Sequence, residues 1–290
     1  MTSTHTYSKN IHFQSNDGLN LYAKEWGTKN YDQTVLCLHG LTRNHKDFEP
    51  LADAIGNNKR IIAWDTRGRG NSQRDPNPSN YQLSEYVKDV LSLIAHLKLD
   101  QFAIIGTSMG GLITMQLMTL IPEKITGVII NDVGPELNPD GVARIGEYIG
   151  DINTFENFEQ AGQALKKVHF VAHPNFSDGD WTAFAQRTFR ATDQGVIPDY
   201  DPAIADSLKS ITSDTSDKQN AWVLFRALCN HPLRIIRGDL SDLLSEETAN
   251  QMIAQHNNAK LITVSNTGHA PVLTEQDCLQ PILDFLSELP

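Results

Sequence analysis

A chain of 290 residues with 40% hydrophobic content can bury a large core and is read as one globular unit with room for an insertion. Its formal net charge of -11, with no block of Lys or Arg, excludes the electrostatic footprint of a nucleic-acid or anionic-membrane partner. Three scattered cysteines, Cys37, Cys229 and Cys278, with no Cys-x-x-Cys pair, exclude a disulfide framework, and no metal site or cofactor is expected.

The opening Met1-Thr2-Ser3-Thr4-His5-Thr6 lacks a basic and an apolar leader region, and no apolar run reaches bilayer-spanning length, so an unexported, cytoplasmic protein is expected. Ile11-His12-Phe13 and Leu19 to Trp26 flank the turn signal Asn16-Asp17-Gly18, which predicts an antiparallel β-hairpin. Thr34 to Leu38 is the next strand. It ends in His39-Gly40-Leu41-Thr42-Arg43-Asn44, and Phe48, Leu51, Ala52 and Ile55 then take up helical spacing. Arg60 to Trp64 is a further strand, closing in Asp65-Thr66-Arg67-Gly68-Arg69-Gly70-Asn71-Ser72. Leu83, Val87, Val90, Leu91, Ile94 and Leu97 mark one face of a long helix.

Gln101 to Ile105 is short, apolar and β-branched, and Leu112 to Leu120 is helical, so a sharp strand-to-helix turn falls on Gly106-Thr107-Ser108-Met109-Gly110-Gly111. Such a turn brings neighbouring backbone close, which explains Gly106 and Gly110, and it projects the Ser108 hydroxyl above the sheet. Lys124 to Asn131 is another strand, and the alternation of strands with helices predicts a parallel sheet covered on both faces. From about Pro135 to Asn230 the rhythm breaks. Val142 to Ile149, Phe155 to Val168, Asp180 to Thr192 and Asn220 to Leu228 carry helical periodicity, which predicts a mainly helical cap over residues 135–230, between core segments 1–134 and 231–290. Leu233 to Arg237 and Leu261 to Val264 resume the sheet, and a helix from Glu275 to Leu286 closes it.

A serine needs a base to take its proton and a third group to orient that base. His269, on the loop after the last strand in Asn266-Thr267-Gly268-His269-Ala270-Pro271, is the expected base. His39, at the end of a central strand, reads as a packed structural histidine. The acid is sought after Leu233 to Arg237, where Asp239 and Asp242 are both available. Ser245-Glu246-Glu247 caps the helix that follows, which frees Asp242 for another job. The backbone N–H groups of Met109, at a helix start, and of Leu41, in the His39-Gly40 turn, can face the oxygen on which charge develops.

Through His39-Gly40, the Asp65-x-Arg67-Gly68-x-Gly70-x-Ser72 run, the Ser108 turn and Gly268-His269, the chain resembles the α/β-hydrolase family over nearly its whole length. The resemblance implies an eight-stranded, mostly parallel sheet flanked by helices, with the helical cap after the sixth strand. It implies Ser108 as nucleophile, His269 as base and Leu41 and Met109 as oxyanion donors. Arg237-Gly238-x-x-Ser241-Asp242 is similar to members whose acid follows the serine, which favours Asp242 over Asp239. A serine nucleophile argues against the dehalogenase and epoxide hydrolase branches, and a carboxylic ester or lactone of a small, partly apolar molecule is the expected substrate. Carbon–carbon bond hydrolysis of the meta-cleavage type, cofactor-free perhydrolase activity and a non-catalytic ligand-binding role are the alternatives. Asp65, Arg67 and Arg69 are expected to be structural. Arg43, Tyr148 and Trp181 are carried as candidate substrate-binding residues; Arg43 reaches either a substrate carboxylate or an acidic partner such as Glu49. Trp181 stands with Phe184, Phe189, Tyr148 and Trp222 among aromatics that also suit a cap core. Oligomeric state is not legible.

Overall fold

The computed structural model describes residues 7–28, 30–206 and 216–290, with side chains from residue 220 onward in the helix that begins at 216. The Met1–Thr6 segment read above lies outside these residues. Among the described residues ten strands form: β1 (Tyr7–Gln14), β2 (Asn20–Gly27), β3 (Gln33–Leu38), β4 (Lys59–Asp65), β5 (Phe102–Thr107), β6 (Ile125–Asn131), β7 (Phe189–Thr192), β8 (Gly195–Pro198), β9 (Leu233–Gly238) and β10 (Ala259–Val264). The helices are α1 (Glu49–Ile55), α2 (Leu83–Leu97), α3 (Met109–Leu120), α4 (Pro139–Tyr148), α5 (Phe158–His169), α6 (Asp178–Thr188), α7 (Ser216–Arg226), α8 (Glu246–Ala254) and α9 (Gln276–Glu288).

Eight strands make one sheet in the order β1-β2-β4-β3-β5-β6-β9-β10. The β1–β2 and β2–β4 pairs are antiparallel and all others parallel. The central strands are apolar on both faces because helices cover both, and successive side chains point to opposite sides. Leu36, Leu38, Ile104, Val128 and Ile130 join one core with Val90, Leu93, Ile113 and Phe225 of the helices. Val35, Cys37, Ala103, Ile105 and Ile129 join the other with Leu51, Ile282 and Phe285. Cys37 and Cys278 are buried free thiols; Cys229 is only partly buried.

Residues between β6 and β9 leave the sheet as the helical periodicity predicts, with one difference. Asp180 to Thr192 reads as one helix, but α6 stops at Thr188 and Phe189–Thr192 pairs antiparallel with Gly195–Pro198. Strands of four residues are too short to show a period-two pattern against a preceding helical one, and Gly195, with φ near +124°, supplies a backbone conformation that helix periodicity does not register.

The charged turn after β4 is structural throughout. Arg67, fully buried, bonds to both oxygens of Asp89 at 2.7 and 2.6 Å and reaches Asp75 and Asp17. Burial works against its charge, but the bonds to Asp89 and Asp17 outweigh it and raise its pKa further. Asp65 accepts from the backbone N–H groups of His45 and Asn71. Arg69 donates to the carbonyl of Leu41 at 2.8 Å and to Tyr86 Oη at 3.0 Å, so this turn holds the His39-Gly40-Leu41 loop in place.

Candidate active site

The turn from β5 into α3 puts Ser108 at φ +52°, ψ -116°, a conformation that L residues rarely adopt and that persists only where the surroundings enforce it. The surroundings do so: a Cβ on Gly110 would lie 2.0 Å from the Leu38 carbonyl oxygen, and one on Gly106 would lie 2.6 Å from the Gly110 oxygen. Only glycine allows β3, β5 and α3 to meet this closely, and the Ser108 side chain is left facing a cavity.

His269 Nε2 lies 3.0 Å from Ser108 Oγ. Its other ring nitrogen, Nδ1, is 2.8 Å from Oδ2 of Asp132. Asp132 is fully buried at the end of β6, in the left-handed region at φ +56°. Its carboxylate also accepts from Gly238 N–H at 3.0 Å and Ser241 Oγ at 2.7 Å, which fixes its orientation. The loop carrying His269 is tied to β6 by the Asn131 side-chain amide, which donates to the Pro271 carbonyl at 2.8 Å.

Neither aspartate expected from the sequence occupies this place. Asp242 forms a two-pronged ion pair with Arg144 of α4. Asp239 accepts the Thr267 N–H at 3.1 Å and so braces the loop leading to His269. The physical reason is adjacency: β6 and β9 are hydrogen-bonded neighbours, so the end of β6 reaches the histidine as readily as the loop after β9. The latter contributes Ser241, not a carboxylate, to the same cluster. Asp132 still falls between Ser108 and His269 in the chain, an order that the sequence displays without separating one aspartate from another.

Gly40 and Leu41 border the cavity with Ser108, and a Cβ on Gly40 would lie 3.7 Å from that of Ser108. Met109 is the first residue of α3, so its N–H has no acceptor within the helix and points outward at the positive end of the helix dipole. An oxyanion formed beside Ser108 would therefore meet a helix N-terminus on one side and the Leu41 loop on the other.

The cavity encloses about 770 Å³ and takes its walls from the sheet ends and from α4, α5 and α6. Leu41, Ile145, Ile149, Leu165, Phe176 and Phe184 make it largely apolar. Tyr148 lines it as the sequence suggests. Trp181 does not: it is 0% exposed in the apolar cluster of Ala161, Leu165, Ala185 and Phe189, because its place on α6 faces α5 and not the sheet. Arg43 borders the cavity, but its guanidinium is committed to both oxygens of Asp47 at 2.7 and 2.5 Å, to the Thr188 hydroxyl, and to the face of Phe184. Its partner is Asp47, one turn on, and not Glu49.

His39 is a structural histidine. It accepts the Thr66 N–H on Nε2 at 3.0 Å and donates from Nδ1 to the Gly40 carbonyl at 2.7 Å, a pattern that requires the neutral ring. Burial dominates and lowers its pKa from 6.5 to about 4. Between those values the unfolded chain binds a proton that the folded chain refuses, so this stabilisation is complete above pH 6.5 and is lost as the pH falls toward 4. It amounts to about 3 kcal/mol. Reversible urea unfolding is expected to show stability falling between pH 7 and pH 4.5, with about 2 kcal/mol of the fall due to this ring, and less steeply in His39→Asn. A wild-type profile flat across this window would exclude a neutral buried ring.

Among the described residues no group of three or more His, Cys, Asp or Glu could hold a metal ion, and no helix is long and apolar enough to cross a membrane.

An eight-stranded, mostly parallel sheet with a serine on the β5–α3 turn and a histidine after the last strand defines an α/β-hydrolase, and the family model described as the alpha/beta hydrolase fold matches residues 33–276. The chain belongs to that family. It is 33% identical over 258 residues to the 3-hydroxybutyrate-oligomer hydrolase of Cupriavidus necator, covering 87% of each chain. It is 25% identical over 262 residues to the esterase YbfF of Escherichia coli, covering 87% of this chain and 91% of the other. Among solved structures it is similar to an α/β-hydrolase from Novosphingobium aromaticivorans, with a TM-score of 0.89, 35% identity, and 96% and 98% of the two chains covered.

Proposed function

We propose that this α/β-hydrolase cleaves carboxylic esters or lactones of small, partly apolar molecules through an acyl-enzyme intermediate. In this reading Ser108 attacks the carbonyl, His269 takes its proton and returns it to the leaving alcohol, and Asp132 orients the imidazole and stabilises its charged form. The N–H groups of Leu41 and Met109 receive the oxyanion. Residues 1–134 and 231–290 act as the catalytic core and residues 135–230 as the cap that sets acyl and alcohol selectivity.

The observation that carries the reading is the unbroken relay from Ser108 Oγ through His269 to Asp132, opening on an apolar cavity with no competing charged group bonded to the serine. The hydrolase and esterase names of the relatives support the same class of chemistry. The relative that acts on 3-hydroxybutyrate oligomers further supports an ester whose acyl unit is short.

A fluorophosphonate probe is expected to label one site, Ser108, by peptide mass mapping. A screen of esters of graded chain length, lactones and vinylogous diketones is expected to give its fastest turnover on short-chain esters. Absence of labelling together with saturable ligand binding would replace catalysis by a binding role. Turnover confined to the diketones would replace ester cleavage by carbon–carbon bond cleavage.

A further inference from the structure

Among the polar side chains that line the cavity, Arg43 is committed to Asp47, Thr188 to the Phe184 carbonyl and Ser108 to His269. Two histidines are not. His169, the last residue of α5, and His173, one turn beyond it, both line the cavity, and among the described residues neither ring nitrogen pair has a hydrogen-bond partner. His173 is only 5% exposed and borders the cavity, so a ligand atom there could bond to its ring nitrogens.

The two rings are held in defined orientations. His173 stacks on Phe176 with centroids 4.4 Å apart and 15° between planes, and His169 meets the edge of Tyr148 at 4.8 Å. Between them, the Ala172 carbonyl accepts the Gly268 N–H at 2.6 Å, which docks this segment on the loop that carries His269. The pair therefore stands beside the reacting centre, on the cap side of the cavity.

Their charge state limits what they can recognise. Burial, then Arg144 and Arg43, lower His169 to about 3; burial, then Arg43 and His269, lower His173 to about 4. Near neutral pH each ring is uncharged and offers one donor and one acceptor. That set matches a hydroxyl or an ester oxygen. A substrate carboxylate would call for a free cation beside the rings, and the arginines that bear on them, Arg43, Arg144 and Arg187, each have a carboxylate of the protein within 4.0 Å.

We propose that His169 and His173 form a subsite that hydrogen-bonds a neutral oxygen function carried by the acyl part of the substrate, so that hydroxyacyl esters, including units of an oligoester, are preferred to plain alkanoyl esters of equal length. The inference rests on the ester-hydrolase reading. A site built to bond an oxygen discriminates against the analogue that lacks it, because its own buried groups are then left unpaired.

The test compares kcat/KM for ethyl 3-hydroxybutyrate, ethyl 3-acetoxybutyrate, ethyl butyrate and the monoethyl succinate anion, following release of ethanol. Wild type is expected to prefer the oxygen-bearing neutral esters over butyrate by about tenfold or more. His173→Phe keeps the aromatic stack and removes the ring nitrogens, and the preference is expected to collapse toward unity. His173→Asn, which keeps a donor and an acceptor, is expected to retain more of it. Collapse for hydroxybutyrate alone identifies a hydroxyl as the bound oxygen, and collapse for both esters identifies an oxygen that they share. Equal losses on all four esters, an unchanged preference, or an effect confined to the succinate anion would each overturn the subsite. If wild type turns over none of them, the ester-hydrolase reading fails by itself. Calorimetric binding of ethyl 3-hydroxybutyrate against ethyl butyrate, in wild type and His173→Phe, then still decides the subsite.

Discussion

Replacing Ser108 by alanine is expected to lower ester turnover by roughly 10⁵- to 10⁶-fold while leaving the fold intact, because under the proposed mechanism no other group can form the acyl-enzyme and the relay works as a unit. The hydroxyl makes one side-chain contact, to His269 Nε2 at 3.0 Å, and faces the cavity. Its loss should move stability by no more than about 1 kcal/mol. The strained turn is unaffected, since alanine can occupy the same backbone conformation on the same glycine-lined bend. Residual hydrolysis over water should survive from the oxyanion donors and substrate binding. Purified, folded Ser108→Ala that retains turnover within tenfold of wild type would refute Ser108 as the nucleophile.

Asp132→Asn should cost roughly 10⁴-fold in kcat. With its carbonyl oxygen in the Oδ1 place the asparagine still accepts from Gly238 N–H, while its amide takes the Oδ2 place that now accepts from Ser241 Oγ and His269. Its amide then faces His269 Nδ1, favours the tautomer with the proton on Nε2, and leaves the ring unable to accept from Ser108. Neither does it stabilise the imidazolium. The matched control is Asp242→Asn, which weakens the ion pair to Arg144 and is expected to change kcat less than tenfold, with any loss tracking the cap's hold on α4. The opposite ranking of the two variants would return the acid to the loop after β9. Circular dichroism and thermal unfolding should be recorded for both, so that loss of function in Asp132→Asn is separated from loss of fold.

The sequence by itself determined the features that repeat along the chain or sit on a short local motif. Short apolar, β-branched runs and period-3.6 patterns located all eight strands of the main sheet and the helices between them. The break in that rhythm after Asn131 marked the inserted helices. The bend at Ser108 was legible because its cause is local: glycines at 106 and 110 are needed within a few residues of the serine they serve. His269 was legible for a similar reason, as a histidine in a loop directly after the last strand.

What only the tertiary structure decided depends on which distant segments lie side by side. Asp132, Asp239 and Asp242 all follow strands and all lie between Ser108 and His269 in the chain. Which of them meets the imidazole turns on the pairing of β6 with β9 and on Ser241 and Gly238 turning one carboxylate toward it. Arg43 found Asp47 and Thr188, the latter 145 residues away. Trp181 and Tyr148, both aromatics at helical spacing, went to opposite fates because α6 turns Trp181 toward α5 while Tyr148 borders the cavity. The four-residue spacing of His169 and His173 is visible in the sequence, but that both rings border the cavity is not, because a neighbour is a property of the folded chain.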